Sequence, residues 1–129
     1  MDRKELEMRT KRFHVSIIRL SRCLPRDAAG YETGKQIIRS AGSVGANYRA
    51  SRRAKSNADF VYKIEVVLEE ADETLYWLEV IRDSEMIAGA GIESLIGEAN
   101  ELTAIFAASC RSAKQNAETR NAARNTRKS

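Results

Sequence analysis

Proline occurs once, at Pro25, and glycine only seven times in 129 residues. A chain with so few breakers cannot supply the frequent turns of an all-β sandwich. Histidine also occurs once, at His14, with Lys11 three positions before it. That excludes the usual di-iron or di-manganese bundle site, which needs Glu-x-x-His on two helices. It also leaves either cysteine without an evident base, so no nucleophilic catalysis is expected. The two cysteines, Cys23 and Cys110, fall toward the far ends of the first and last helical segments. In an antiparallel bundle those ends are opposite, and a helix of about 18 residues spans roughly 27 Å. A disulfide requires Cα atoms within about 7 Å, so both are expected as inert, buried or half-buried thiols. Apolar runs are short, such as Ala104 to Ala108, far below the roughly 20 residues a membrane span requires. The opening Met-Asp-Arg-Lys-Glu carries acids and no apolar stretch after it. That is unlike a secretory signal, and the expected location is cytoplasmic and reducing.

What the chain does have is helix. Ala, Arg, Glu, Leu and Lys make up 61 of its 129 residues, a proportion that points to an all-α protein. Four apolar stripes follow helical spacing. Leu6, Phe13, Ile17, Leu20 and Leu24 predict a first helix of about 20 residues, ended by Pro25-Arg26-Asp27. Ile37, Ala41, Val44 and Tyr48 predict a second from about Tyr31 to Arg53, with Gly42 and Gly45 beside the stripe where a neighbour could approach closely. Ser56 and Asp59 resemble a capping box opening a third. Its stripe is Phe60, Ile64, Val67, Ala71, Leu75, Leu78 and Ile81 or Arg82, ending near Gly89-Ala90-Gly91. Ile92, Leu95, Ala99, Leu102, Phe106 and Ser109 predict a fourth. Short connections favour an antiparallel up-down-up-down four-helix bundle over residues 1–113. Residues 114–129 lack apolar positions and are expected to form a flexible cationic tail.

The net charge of +4 conceals a strong asymmetry. Residues 1–55 carry 14 Lys and Arg against 5 Asp and Glu, residues 56–113 carry 3 against 12, and residues 114–129 carry 5 against 1. Such polarity suggests basic and acidic faces that meet, within a subunit or between copies in a ring. The acidic cluster Glu69, Glu70, Asp72 and Glu73 has no histidine or second acidic cluster beside it, so no metal site, cofactor or catalytic residue is assigned. Arg49, Arg52, Arg53 and Lys55 place four cations in seven residues at the end of the second helix. They suit the negative end of the helix macrodipole. They also suit a phosphate-contacting patch, together with Lys11, Arg12, Arg19, Arg22 and Arg39 and the tail cations Arg120, Arg124, Arg127 and Lys128. No aromatic interleaves with these charges along the sequence, so base readout has no visible basis. Asn47 and Glu73 are read as structural, the amide bonding across the second and third helices and the carboxylate accepting from it or from a nearby cation such as Lys63.

The ordered pieces Gln36-Ile37-Ile38-Arg39-Ser40-Ala41, Ser43-Val44-Gly45-Ala46-Asn47-Tyr48-Arg49-Ala50, Lys55-Ser56, Asp59-Phe60, Lys63, Glu69-Glu70-Ala71-Asp72-Glu73-Thr74 and Tyr76-Trp77-Leu78 carry a resemblance. They resemble the four-helix-bundle family first noticed as products of intervening sequences in bacterial 23S ribosomal RNA genes. The commoner form of that family reads Ile-Ala-Glu-Gly where this chain has Tyr48-Arg49-Ala50-Ser51, a pattern similar to a second branch. The resemblance implies a homopentamer without catalytic activity. It also implies kinship with the basic accessory proteins of diversity-generating retroelements, which work with a reverse transcriptase and RNA. The expected function is therefore a non-enzymatic oligomeric protein that binds RNA, DNA or a ribonucleoprotein through basic surfaces; the alternative is an assembly module with no nucleic-acid binding.

Overall fold

The computed structural model describes residues 1–128, and side chains as far as Arg127. It contains four helices: α1 (Arg3–Ser21), α2 (Ala28–Ser51), α3 (Asn57–Asp83) and α4 (Ala90–Lys128). Among the described residues there is no strand. Each of the first three starts on a side-chain cap that satisfies an otherwise orphaned N–H. Asp2 and Glu5 form a reciprocal capping box on α1. The Asp27 carboxylate accepts from the Gly30 N–H at 2.8 Å and starts α2 three residues ahead of Tyr31. The Ser56 hydroxyl accepts from the Asp59 N–H at 3.1 Å.

The helices surround one core in chain order, α2 and α4 each packing along α1 and α3, while the Tyr48 and Phe106 rings meet across the α2–α4 diagonal. Arg3 meets Tyr48, Arg39 meets Glu70, Lys114 meets Glu65 and Arg9 meets Glu98. Phe13, Ile17, Ile37, Ala41, Val44, Ile64, Val67, Leu78, Leu102 and Phe106 fill the interior. Most of the expected stripes are buried, with two adjustments. On α4 the seam passes through Ile96 and Cys110, while Leu95 and Ser109 sit at its margins. Thr10, Ser40 and Thr74 are also fully buried, because their hydroxyls find partners: Thr10 donates to the Glu7 carbonyl at 3.0 Å, and Thr74 donates to Ser40 across α2 and α3 at 2.8 Å.

Two further boundaries, at the ends of α3 and α4, differ from expectation. α3 ends at Asp83, before the glycines, because Glu85 itself takes the left-handed conformation at φ 62°. The Met86 N–H then reaches back to the Ile81 carbonyl at 3.0 Å, the six-to-one bond of a Schellman turn. The expected flexible tail is instead a continuation of α4 through Lys128. After Gly97 there is neither glycine nor proline to stop the helix, and residues of high helix propensity carry it past the last buried position, Ala113. Lys114 on Glu65 at 3.0 Å and Arg120 on Asn57 tie that extension to α3. Ser129 and the side chain of Lys128 lie outside the described residues.

Two substitutions test these turns. A Cβ on Gly30 would lie 1.9 Å from the Pro25 carbonyl oxygen, a backbone atom that cannot swing aside. Gly30→Ala is expected to lower stability in denaturant melts by about 1–3 kcal/mol or more. Glu85→Gly relieves a conformation that an L residue resists, and is expected to raise stability by about 0.5–1 kcal/mol. A destabilised Glu85→Gly would show that the turn does not strain Glu85.

Candidate nucleic-acid interface

Part of the charge asymmetry is consumed between adjacent helices. Arg9 of α1 forks onto Glu98 of α4, its Nε donating to Oε2 at 2.8 Å, and also reaches Glu101. Arg39 of α2 lies 3.3 Å from Glu70 of α3 and bonds Glu73 as well. These hydrogen bonds, to Glu98 first for Arg9 and to Glu70 first for Arg39, hold both guanidiniums charged above their ordinary range. The acidic cluster on α3 is therefore partly a docking surface for α2. Among the described residues no group of three or more His, Cys, Asp or Glu is placed to hold a metal ion.

Of the polar residues assigned to the α2–α3 contact, Glu73 accepts from a cation of α2 as expected, while Asn47 does not cross. The Asn47 amide donates within its own helix, to the Ser43 carbonyl at 2.9 Å and hydroxyl at 2.8 Å. Lys63 bonds Asp59 one turn earlier at 2.8 Å, and the cation that Glu73 accepts from is Arg39 of α2. The polar bond that does cross this helix pair in the interior is Thr74 to Ser40. Short hydroxyls fit a seam this tight.

At the α2–α3 junction the cations remain outward. The last carbonyls of α2 have no helical partner and carry the negative end of its dipole. Arg3 fills that role: its Nη2 donates to the Tyr48 carbonyl and to the Ser51 hydroxyl, both at 2.8 Å. Its guanidinium carbon also stands 4.7 Å over the Tyr48 ring. That ring in turn packs against Phe106 of α4 at 5.3 Å between centroids. With the helix end satisfied by Arg3, the exposed Arg49, Arg53 and Lys55 side chains make no ion pair within the chain among the described residues. Arg52 makes one long contact, 3.7 Å to Glu7.

Three hollows meet at Arg52. One, of about 720 Å³, is lined by Arg3, Arg52, Lys55, Asn57, Phe60 and Arg124. A second, about 440 Å³, is lined by Ala46, Arg49, Ala50, Arg52, Arg53 and Lys63. The third, about 480 Å³, runs between α1 and α2 and adds Lys4, Lys11 and His14 beside Met8. All four junction cations thus line adjoining surfaces, and Arg124 joins them from the far end of the chain. Arg120 is drawn to the same end by its bond to Asn57. Arg127 is exposed one turn beyond Arg124, and the side chain of Lys128 is outside the described residues.

Sequence reading missed Arg3, Asn57 and Phe60 in this arrangement. Arg3 had a detectable signal, since a cation in the first turn of a helix opposes the macrodipole and implies a partner elsewhere. Nothing in the spacing of Phe60 distinguishes it from a core position. Neither cysteine forms a disulfide. Cys110 is buried, and burial pushes its thiol up from its ordinary value. Cys23 is exposed rather than half-buried, because the helix ends just before it and its side chain leaves the core.

A family model described as 23S rRNA-intervening sequence protein matches residues 4–108. Among solved structures, the chain is similar to a crystal structure of a protein of unknown function from the S23 ribosomal protein family of Bacteroides thetaiotaomicron VPI-5482. The two share 32% sequence identity with a TM-score of 0.77, over 86% of this chain and 99% of the other. No curated protein matches.

The junction loop also carries a pH-dependent brace. The Asp59 carboxylate accepts from Lys63 and from the Lys55 backbone N–H at 2.9 Å. The Lys63 bond first, then the Lys55 one, holds it below its ordinary value. A carboxylate depressed in the folded state stabilises fully above its unfolded pKa of about 3.9 and loses that contribution as pH falls through the folded value. Asp59→Asn is expected to be less stable than the parent at neutral pH, with the gap closing below about pH 4. Urea melts from pH 7 to 2 measure this; a constant gap would assign the loss to something other than the ionised carboxylate.

Proposed function

This chain belongs to the 23S rRNA-intervening sequence protein family, and from that premise we propose that it is a non-enzymatic, homo-oligomeric bundle that binds nucleic acid through its junction cations. The supporting observation is convergence. Arg49, Arg52, Arg53 and Lys55 share one end of the molecule with Arg3 and with Arg120 and Arg124 of the extended α4. Cations used for packing, such as Arg9 and Arg39, are engaged by carboxylates of their own chain; those at the junction are largely not. The reading takes the helix order and contacts as an up-down-up-down bundle acting in the cytoplasm, without cofactor.

A closed ring, most simply of five copies, would repeat the junction surface and let weak contacts add as avidity. The remaining acidic positions on α3, including Glu69 and Asp72, offer such a ring a complementary face. Oligomeric partners of this kind would leave the junction free for RNA, DNA or a ribonucleoprotein, including one built around a reverse transcriptase. The competing reading, an assembly module without nucleic acid, draws support from the interhelix ion pairs just described.

Two measurements test the proposal. Native mass measurement at moderate salt is expected to give a closed oligomer, and a monomer at micromolar concentration would refute the ring. Titration with RNA and DNA near 50 mM salt and above is expected to show binding that falls with salt as counterions are released. Removal of residues 114–129 should flatten that dependence. Arg53→Glu with Lys55→Glu should weaken binding further, since it adds repulsion without touching the Arg52 contact to Glu7. Variants indistinguishable from the parent would leave the assembly module as the function.

A further inference from the structure

The hollow that Arg52 shares with Arg124 joins charge to an aromatic. Arg52 and Lys55 come from the α2–α3 connection, Arg124 from the last turns of α4, and the half-buried Phe60 from the first turn of α3. Its volume of about 720 Å³ falls within the ~300–1,000 Å³ typical of small-ligand sites. The aromatic is distant from Arg124 in sequence, and only the straight continuation of α4 brings them together. Arg120 on Asn57 holds that continuation against the junction, and Arg124 follows it by one helical turn on the same face.

Resting on the nucleic-acid reading above, we propose that this cleft holds one nucleotide of a single strand, with its base against Phe60 and its phosphate among Arg52, Lys55 and Arg124. Phe60 packs against the core and also lines the cleft among the cations, and single-strand sites combine such a cationic track with a ring on which a base stacks. Bases in a duplex are already stacked on one another and do not present a free face to a ring set in a cleft. The cleft therefore favours single-stranded RNA or DNA over duplex of the same length.

The test compares end-labelled 12-mers by fluorescence anisotropy: oligo(U), oligo(dT), a duplex, and an abasic phosphodiester of equal charge. The intact protein is expected to bind the base-bearing strands about tenfold more tightly than the abasic one. RNA against DNA shows which sugar the site accepts. Phe60→Leu should abolish the difference between base-bearing and abasic strands while keeping its salt dependence. The abasic comparison alters the ligand alone, so it stands even where Phe60→Leu folds poorly. Equal binding of base-bearing and abasic strands by the intact protein would overturn stacking and leave the electrostatic surface in place. Failure to bind any oligonucleotide would overturn that surface as well, and this inference with it.

Discussion

The close approach of α2 to its neighbours is the constraint from which the rest of this bundle follows. A Cβ on Gly42 would meet the His14 ring at 3.0 Å, while Gly34 sits against Leu24 with ordinary contact. On the other side Ser40 and Thr74 exchange a hydrogen bond in a seam fully closed to solvent. Gly45, by contrast, would admit a methyl at 3.7 Å from Thr10. Helices held this near bring long side chains on their flanks within reach of one another. The Arg39 pairs and the position of Arg3 at the end of α2 depend on that spacing.

Electrostatics then divides into two populations. Pairs spanning adjacent helices bridge basic α1 and α2 to acidic α3 and α4. Being partly exposed, each adds only about 0–1 kcal/mol, so their value lies more in setting which surfaces meet than in stability. The second population sits where α2 ends. There the helix dipole is already answered by Arg3 from another helix, and among the described residues the exposed side chains of Arg49, Arg53 and Lys55 form no ion pair. Repulsion among them is tolerable in water and is relieved by an anionic partner. Their position is what a polyanion surface requires.

The extension of α4 changes what that surface can be. Most side chains beyond Ala113 are exposed, so burial does not hold the helix in place there. Propensity and two side-chain ties, Lys114 to Glu65 and Arg120 to Asn57, do. Because those ties run to α3, Arg120 and Arg124 lie over the junction, and a cleft closed on one side by α4 replaces an open patch.

Periodicity made the four helices and most of the core legible, because burial of one face repeats every three or four residues whatever the neighbours are. The cap at Ser56 is equally local, serving an N–H three residues on. The junction cations and their exposure followed from charge alone. Partners across the bundle did not, since many pairings of cation and carboxylate satisfy the same composition. Asn47 turned to Ser43, Glu73 to Arg39 and Lys63 to Asp59 according to the rotation of each helix about its axis, which no single stripe records. The same rotation, with the length of α4, decided that Phe60 and Arg124 share a cleft. Residues 64 positions apart meet only when three helices are packed, so their proximity belongs to the tertiary structure.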